Sequence, residues 1–154
     1  MKKFALATLL AVMAATAGAV EVGIIGGETF QSNNHTSNPA GVTVGESFGK
    51  FGVTAEIDHN FKKKNSTESN NFDLIGSYEV VKLGSASVGI KAGVGYVDSR
   101  DGKPNGYEGL VGAGVTIPVT TKISATADYR YAKAQDRISS QTGNQALIGI
   151  KYAF

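Results

Sequence analysis

The chain contains no cysteine and no tryptophan, and only two histidines and three prolines among its 154 residues. Without cysteine, a disulfide, a thiolate metal site and a lipid-modified cysteine are all excluded. No stretch after Ala19 approaches the roughly 20 apolar residues that a membrane-spanning helix needs. The formal net charge of +2 is small and mixed in sign, so nothing argues for a nucleic-acid partner.

The amino-terminal segment has the organisation of a secretory signal peptide. Two lysines precede an apolar run over residues 4–15, and small residues including Ala17 and Ala19 follow it. The run is too short for a spanning helix, and Ala17-x-Ala19 matches a cleavage site. We therefore predict that residues 1–19 are a cleaved signal peptide and that residues 20–154 form a single domain.

Past this segment, apolar and polar residues alternate with period 2, which indicates β-strands with one apolar face. The clearest example is the stretch from Phe51 to Phe61, where Val53 and Ile57 lie on the apolar face and Glu56 and Asp58 on the other. Eight such segments are separated by turn-forming residues. The predicted strands are residues 20–28, 40–48, 51–61, 72–81, 86–97, 107–117, 122–131 and 144–154.

The connections between these strands alternate in length. Short turns are predicted near residues 49–50, 82–85 and 118–121. Long loops are predicted at residues 29–39, 62–71, 98–106 and 132–143. This alternation is typical of an outer-membrane barrel with tight periplasmic turns and longer external loops. The predicted fold class is therefore all-β: an eight-stranded antiparallel up-and-down transmembrane β-barrel.

Aromatic residues gather at both ends of the predicted strands, as expected for amphipathic rings at two membrane interfaces. The loop ends carry Phe61, Phe72, Tyr96, Tyr107, Tyr129 and Tyr131. The turn ends carry Phe48, Phe51, Tyr152 and Phe154. A soluble, lipocalin-like barrel is the alternative, and it would have its polar face outside. The paired belts favour the membrane barrel.

In a membrane barrel the polar, glycine-rich face lines a narrow interior, where buried charges need partners. Closure brings the first strand beside the last, so Glu21 and Lys151 are predicted to approach each other. The predicted interior charge network is Glu21, Glu56, Asp58, Asp73, Glu79, Lys91, Asp128, Arg130 and Lys151.

The last strand carries an unbroken apolar row that ends on an aromatic residue, Phe154. The members of this predicted assembly-signal row are Ile148, Ile150, Tyr152 and Phe154. The row resembles the C-terminal signature of bacterial outer-membrane barrels, which their assembly machinery recognises. The whole pattern over residues 20–154 resembles the small eight-stranded outer-membrane barrels, a group that includes the transmembrane domain of outer membrane protein A and the opacity-type or porin-family surface proteins.

This resemblance implies the outer membrane of a Gram-negative bacterium as the location. It also implies several partners: outer-membrane lipid and lipopolysaccharide, the barrel-assembly machinery and periplasmic chaperones. The four long loops would then form the variable surface that meets an external ligand. The function expected first is a structural or surface-interaction role at the cell surface.

Two other functions are the alternatives to this one. A narrow channel for ions or small solutes is suggested by the glycines on the inner face, although eight strands enclose little space. An outer-membrane lipid-modifying enzyme would need a nucleophile and a base, for which His35 and Ser37 in a predicted loop tip are a poor pair, and His59 is expected at the lipid interface. No catalytic, metal or cofactor motif is recognisable, so the sequence predicts no enzyme and no cofactor.

Overall fold

Eight β-strands make up nearly all of the described chain. The computed structural model describes residues 19–31, 35–63, 68–100, 104–135, 138 and 141–154. The predicted signal peptide lies outside these residues except for Ala19, which begins the first strand. The strands are β1 Ala19–Gln31, β2 His35–Phe48, β3 Phe51–Lys62, β4 Ser69–Leu83, β5 Ala86–Ser99, β6 Gly106–Pro118, β7 Ile123–Ala134 and β8 Gly143–Ala153.

The strands form one closed antiparallel barrel in the order of the chain. Closure is made by β1 and β8, which pair from Glu21 opposite Ala153 to Gln31 opposite Gly143. The predicted eight-stranded up-and-down barrel is therefore confirmed. Among the described residues, no helix has the length and apolar character needed to cross a membrane.

Three tight turns close one end of the barrel, which we call the turn end. The turn between β2 and β3 contains Gly49 at φ 63°, and the turn between β4 and β5 contains Gly84 at φ 65°. Glycine suits both positions because other residues are strained at positive φ. The third turn, residues 119–122, is held by the amide of Val119, which donates to the carbonyl of Ile123 over 2.8 Å. All three short turns lie at the predicted places in the chain, although β4 continues to Leu83 and the third turn is shifted by one residue.

At the opposite end of the barrel, which we call the loop end, all four loops were predicted to be longer than the structure shows. The predicted loop at residues 29–39 is mostly strand, because β1 continues to Gln31 and β2 already begins at His35. Thr29 lies directly opposite Ser37 in this extension. The other three loops are also shortened, with β4 starting at Ser69 rather than Phe72. Polar residues join a strand when a neighbouring strand satisfies their backbone hydrogen bonds, and an apolar period does not reveal this.

The two faces of the barrel carry the side chains expected for a membrane barrel, apolar outside and polar inside. Large apolar side chains point outward and are exposed, including Val94 at 64% and Ile24 at 61%. The row at the carboxyl end also points outward, with exposures of 70% for Ile148, 54% for Ile150, 40% for Tyr152 and 76% for Phe154. Charged and polar side chains fill the interior, together with a few apolar ones.

Aromatic rings pair at both ends of the barrel. At the turn end, the ring centroids of Phe51 and Tyr78 lie 4.8 Å apart, and those of Tyr152 and Phe154 lie 5.0 Å apart. At the loop end, Tyr96 and Tyr107 meet edge to face at 5.4 Å. Such geometries stabilise aromatic pairs beyond the burial of their area. These pairs place five of the ten predicted belt residues, together with Tyr78, at the two ends of the barrel.

The outward face of β5 provides a test of the assigned faces. Ile90 is 56% exposed on this face and lies opposite Tyr78 and Ala113. In a bilayer, Ile90→Arg is expected to lower the free energy of unfolding by about 2 to 4 kcal/mol, because a charge near the midplane must leave water. Denaturant unfolding in lipid vesicles, followed by circular dichroism, measures this loss.

Ile90→Ala is the matched control, since it removes the same side chain without adding charge. We expect it to cost much less than Ile90→Arg. Equal losses in the two variants would contradict a lipid-facing position for Ile90.

Candidate functional site

The candidate site is the interior of the barrel, where alternate residues of every strand point inward. The sequence placed nine charged residues there. Six of them form three ion pairs, one lies at the turn end, and two lie beside the most deeply buried pair. The pairs are Arg130 with Glu56, Lys91 with Asp128, and Lys151 with Glu21.

The Arg130–Glu56 pair crosses the lumen. Arg130 lies on β7 and Glu56 on β3, which are diametrically opposite in an eight-stranded closed barrel. Arg130 Nη2 donates to Glu56 Oε1 over 2.6 Å, and Nη1 donates to Oε2 over 3.2 Å. The two side chains are only 3% and 5% exposed. This bidentate geometry is the arrangement that best compensates the cost of burying both charges.

A second pair occupies a space made by a glycine. Lys91 Nζ on β5 donates to Asp128 Oδ1 on β7 over 2.6 Å, and β6 runs between these strands. A methyl group at Gly114 of β6 would collide with Asp128 Oδ1 and lie 3.2 Å from Lys91 Cε. Gly114 therefore leaves the volume in which the lysine and the aspartate meet.

The third pair lies at the seam where the barrel closes. Lys151 Nζ of β8 donates to Glu21 Oε2 of β1 over 3.3 Å, and both side chains are partly buried. Closure of the first strand against the last predicts this approach. Glu79 lies apart from the other charges, at the turn end, where its Oε1 is 3.7 Å from Lys82 Nζ.

Asp58 and Asp73 gather around Glu56. One carboxylate oxygen from each of the three residues lies within 4.8 Å of the others. Glu56 is directly opposite Asp73 in the register of β3 and β4, and Asp58 accepts a hydrogen bond of 2.9 Å from Asn60 Nδ2. We call Glu56, Asp58 and Asp73 the acidic cluster.

Glu108 also lies inside the barrel, and the predicted charge network did not include it. It lies on β6 opposite Gly95, is 5% exposed, and shares an inward face with Leu110. The alternation of β6 contains the signal, because Glu108 lies between Tyr107 and Gly109, which are both exposed on the outer face. Its position next to a predicted loop hid its role.

The lumen is open in one half and packed in the other. A cavity of about 270 Å³ runs from the turn end to the level of Glu56. Towards the loop end, two clusters of buried apolar residues fill the interior. They consist of Ile75, Leu110 and Ala132, and of Val97, Ala134 and Ile138. Ile138 belongs to the connection between β7 and β8, and its side chain packs into the loop half of the lumen against Val97 and Ala134.

The residues considered for catalysis have structural partners. His35 is the first residue of β2, not part of a loop tip as predicted. Ser37 is fully buried, and its hydroxyl group donates to Asn60 Oδ1 over 3.3 Å. His59 Nδ1 lies 2.8 Å from Asn70 Oδ1, and its Nε2 lies 3.3 Å from Glu68 Oε1.

The loop-end rim carries ion pairs that join its connections to each other and to a strand end. Lys63 Nζ lies 2.7 Å from Glu28 Oε1, which joins the end of β3 to β1. Arg100 Nη1 lies 3.1 Å from Glu68 Oε1, which joins the β5–β6 connection to the β3–β4 connection. These exposed pairs order the rim, although each contributes little stability.

Solved structures share this fold at low sequence identity. The N-terminal β-barrel domain of OprF from Pseudomonas aeruginosa is 16% identical with a TM-score of 0.71, and the match covers 89% of this chain and 98% of that one. Neisserial surface protein A is 14% identical with a TM-score of 0.65, covering 90% and 98%. The attachment invasion locus protein Ail of Yersinia pestis is 15% identical with a TM-score of 0.53, covering 90% and 100%.

These likenesses establish that the chain has the fold of the small eight-stranded outer-membrane barrels. No family model matches the chain, and no curated protein matches it. The charged lumen and the rim therefore have to be interpreted from their own geometry.

The Arg130–Glu56 pair is suited to a double-mutant cycle. Arg130→Met is expected to lower the free energy of unfolding by about 3 to 5 kcal/mol, because it leaves a buried carboxylate without its partner. Adding Glu56→Gln should restore part of this loss. Denaturant unfolding of the refolded barrel, followed by circular dichroism, measures Arg130→Met, Glu56→Gln and the double variant.

The exposed Lys63–Glu28 pair is the control, for which Lys63→Met and Glu28→Gln should show a coupling below about 1 kcal/mol. Similar coupling energies at the two sites would contradict the importance of burial for the Arg130–Glu56 pair.

Proposed function

We propose that this chain is an integral outer-membrane protein whose barrel anchors a surface of loop-end residues facing the exterior of a Gram-negative cell. The observation that carries the proposal is the arrangement of the two faces of the barrel, which is the reverse of that in a soluble barrel. Apolar residues are exposed outside and charges are buried inside. A soluble barrel would expose this apolar surface to water at a large free-energy cost. In a bilayer the same surface contacts lipid, and closure of the sheet removes the edge strands whose backbone groups lipid could not satisfy.

The proposal includes the route to the membrane. Residues 1–19 direct export and are removed, periplasmic chaperones carry the chain, and the assembly machinery recognises the row that ends at Phe154. The turn end then faces the periplasm and the loop end faces outward. That this row acts as an assembly signal stays a prediction.

A surface-interaction role is supported by the rim. Lys63 pairs with Glu28 of β1, and Arg100 pairs with Glu68 of the β3–β4 connection, which pre-organises a polar surface. One solved structure of the same fold is named an attachment invasion locus protein. A surface ligand for the loop end, bound through residues within 29–39, 62–71, 98–106 and 132–143, is part of this proposal.

A narrow channel is the second candidate, favoured by the cavity of about 270 Å³ in the turn half of the lumen. Against it, the Arg130–Glu56 pair crosses the lumen, and Ile138 with Val97 packs the loop half. Discrete single-channel currents across a planar bilayer containing the purified protein would favour the channel.

Refolding distinguishes the membrane barrel from a soluble barrel. We expect the mature chain to fold only with lipid vesicles or detergent, and to migrate differently on a gel before and after boiling, because a closed barrel resists the detergent of the gel until heated. Electrophoresis with and without boiling, after refolding in buffer, in detergent and in vesicles, makes the measurement. A folded barrel in plain buffer would overturn the proposal, because the chain would then be a soluble barrel that does not need lipid to fold.

Single cysteines test the orientation, since the natural chain has none. Pro104→Cys lies at the exposed loop end and Lys50→Cys at the exposed turn end. In intact cells, a membrane-impermeant maleimide should label Pro104→Cys and leave Lys50→Cys unlabelled. Lysed cells are the control, in which both variants should react. Labelling of Lys50→Cys alone in intact cells would mean that the barrel has the opposite orientation.

A further inference from the structure

We propose that the lumen contains a binding site for a hard divalent cation such as Ca²⁺, formed by the acidic cluster of Glu56, Asp58 and Asp73 with Glu108 beside it. The site goes beyond the anchoring role and does not depend on it. It gathers negative charges from β3, β4 and β6 around one point, whereas each ion pair of the lumen joins one acid to one base.

The first argument is the charge balance of the site. Arg130 is the cation beside these carboxylates, and both of its Nη atoms are engaged by Glu56. Within the described residues, Asp58, Asp73 and Glu108 form no ion pair with a lysine or arginine. All three are 4–5% exposed. Buried carboxylates without a positive partner are costly, so the site lacks positive charge.

The second argument is independent of charge and concerns hydrogen bonding. Both carboxylate oxygens of Asp73 and Oε1 of Glu108 are buried and have no hydrogen-bond partner among the described residues. Most buried polar atoms in folded proteins are satisfied, and a group of unsatisfied oxygens needs a partner that the chain does not supply. A cation is a partner that three acceptors can share.

The two acids that carry the unsatisfied oxygens lie on either side of the same glycine, Gly95. Asp73 and Glu108 lie opposite Gly95 on its two neighbouring strands. A methyl group at Gly95 would collide with Asp73 Oδ1 and lie 3.0 Å from Glu108 Cγ. Gly114 likewise leaves space for Asp128, which lies opposite it, and for Lys91, which lies opposite Gly112, and there the lysine supplies the positive charge. At Gly95 both neighbours are acids, so a bound cation would supply the positive charge that a lysine supplies beside Gly114.

The spacing of the acidic cluster suits Ca²⁺. Carboxylate oxygens bind this ion at about 2.3 to 2.6 Å, so two ligands on opposite sides of it are about 4.6 to 5.2 Å apart. The oxygens of the acidic cluster lie within 4.8 Å of one another. Ca²⁺ accepts irregular sets of six to eight oxygens, whereas Mg²⁺ requires a near-octahedral set. We therefore expect Ca²⁺ to bind more tightly than Mg²⁺.

The test uses the full mature chain refolded in a non-ionic detergent, which has no phosphate groups to bind the ion. Because the site is buried, the chain is refolded once with CaCl₂ and once with EDTA. We expect one Ca²⁺ per chain after gel filtration, counted by atomic emission, and a higher unfolding temperature for the calcium-loaded barrel. Calorimetric titration of the EDTA-refolded barrel with Ca²⁺ and with Mg²⁺ then gives the affinities.

Two variants separate the site from general effects of charge. Asp73→Asn removes a ligand, and Gly95→Ala fills the space beside Asp73 without changing any charge. Each should weaken Ca²⁺ binding at least about tenfold, because affinity follows ligand charge and geometry. The matched controls are Glu79→Gln, a carboxylate at the turn end, and Gly109→Ala, where an added methyl group meets nothing within 4 Å. Both controls should bind Ca²⁺ as the natural chain does.

Three results would overturn the proposal. The first is a natural chain that retains no Ca²⁺ and whose unfolding temperature Ca²⁺ does not change. The second is equal loss of binding in the controls and in Gly95→Ala. The third is an EDTA-refolded Asp73→Asn barrel more heat-stable than the natural one, with no Ca²⁺ bound to either, because the carboxyl groups would then hold protons instead of a metal. If Asp73→Asn fails to fold, the natural chain and Gly95→Ala decide.

Discussion

The pairing of β1 with β8 is the constraint on which the rest of the molecule depends. It runs from Glu21 opposite Ala153 to Gln31 opposite Gly143 and leaves the sheet without an edge. An open edge would expose unpaired amides and carbonyls, which a bilayer cannot satisfy. Because the sheet is closed, its outer face can be wholly apolar, and every polar group that the strands carry is directed to the lumen or to the two ends.

Closure with eight strands also makes the lumen narrow, and this explains its chemistry. A side chain from one wall reaches the opposite wall, as Arg130 does when it binds Glu56. Charges on strands two apart meet only where the strand between them carries glycine, as at Gly114 and Gly95. The glycines of the inner face are therefore spacers that decide which charges come together, and they do not leave a continuous pore.

The sequence was sufficient for the number of strands, their faces and the three tight turns, because a period of 2 and glycine-containing turns are local signals. It failed at the loop end, where Thr29 and Ser37 pair in a strand that was predicted to be a loop. A buried hydrogen bond from Ser37 Oγ to Asn60 Oδ1 joins β2 to β3 there. These polar residues have no apolar period, so only the neighbouring strand reveals their structure.

The candidate site divides along the same line. The sequence by itself determined that Glu56, Asp58, Asp73 and Arg130 point to one side of their strands, since alternation is a property of each strand alone. Only the tertiary structure decided that Arg130 binds Glu56 and that Asp73 and Glu108 meet over Gly95. Those contacts depend on register and on the curvature of the closed sheet, which fix the height of each residue relative to strands far away in the chain.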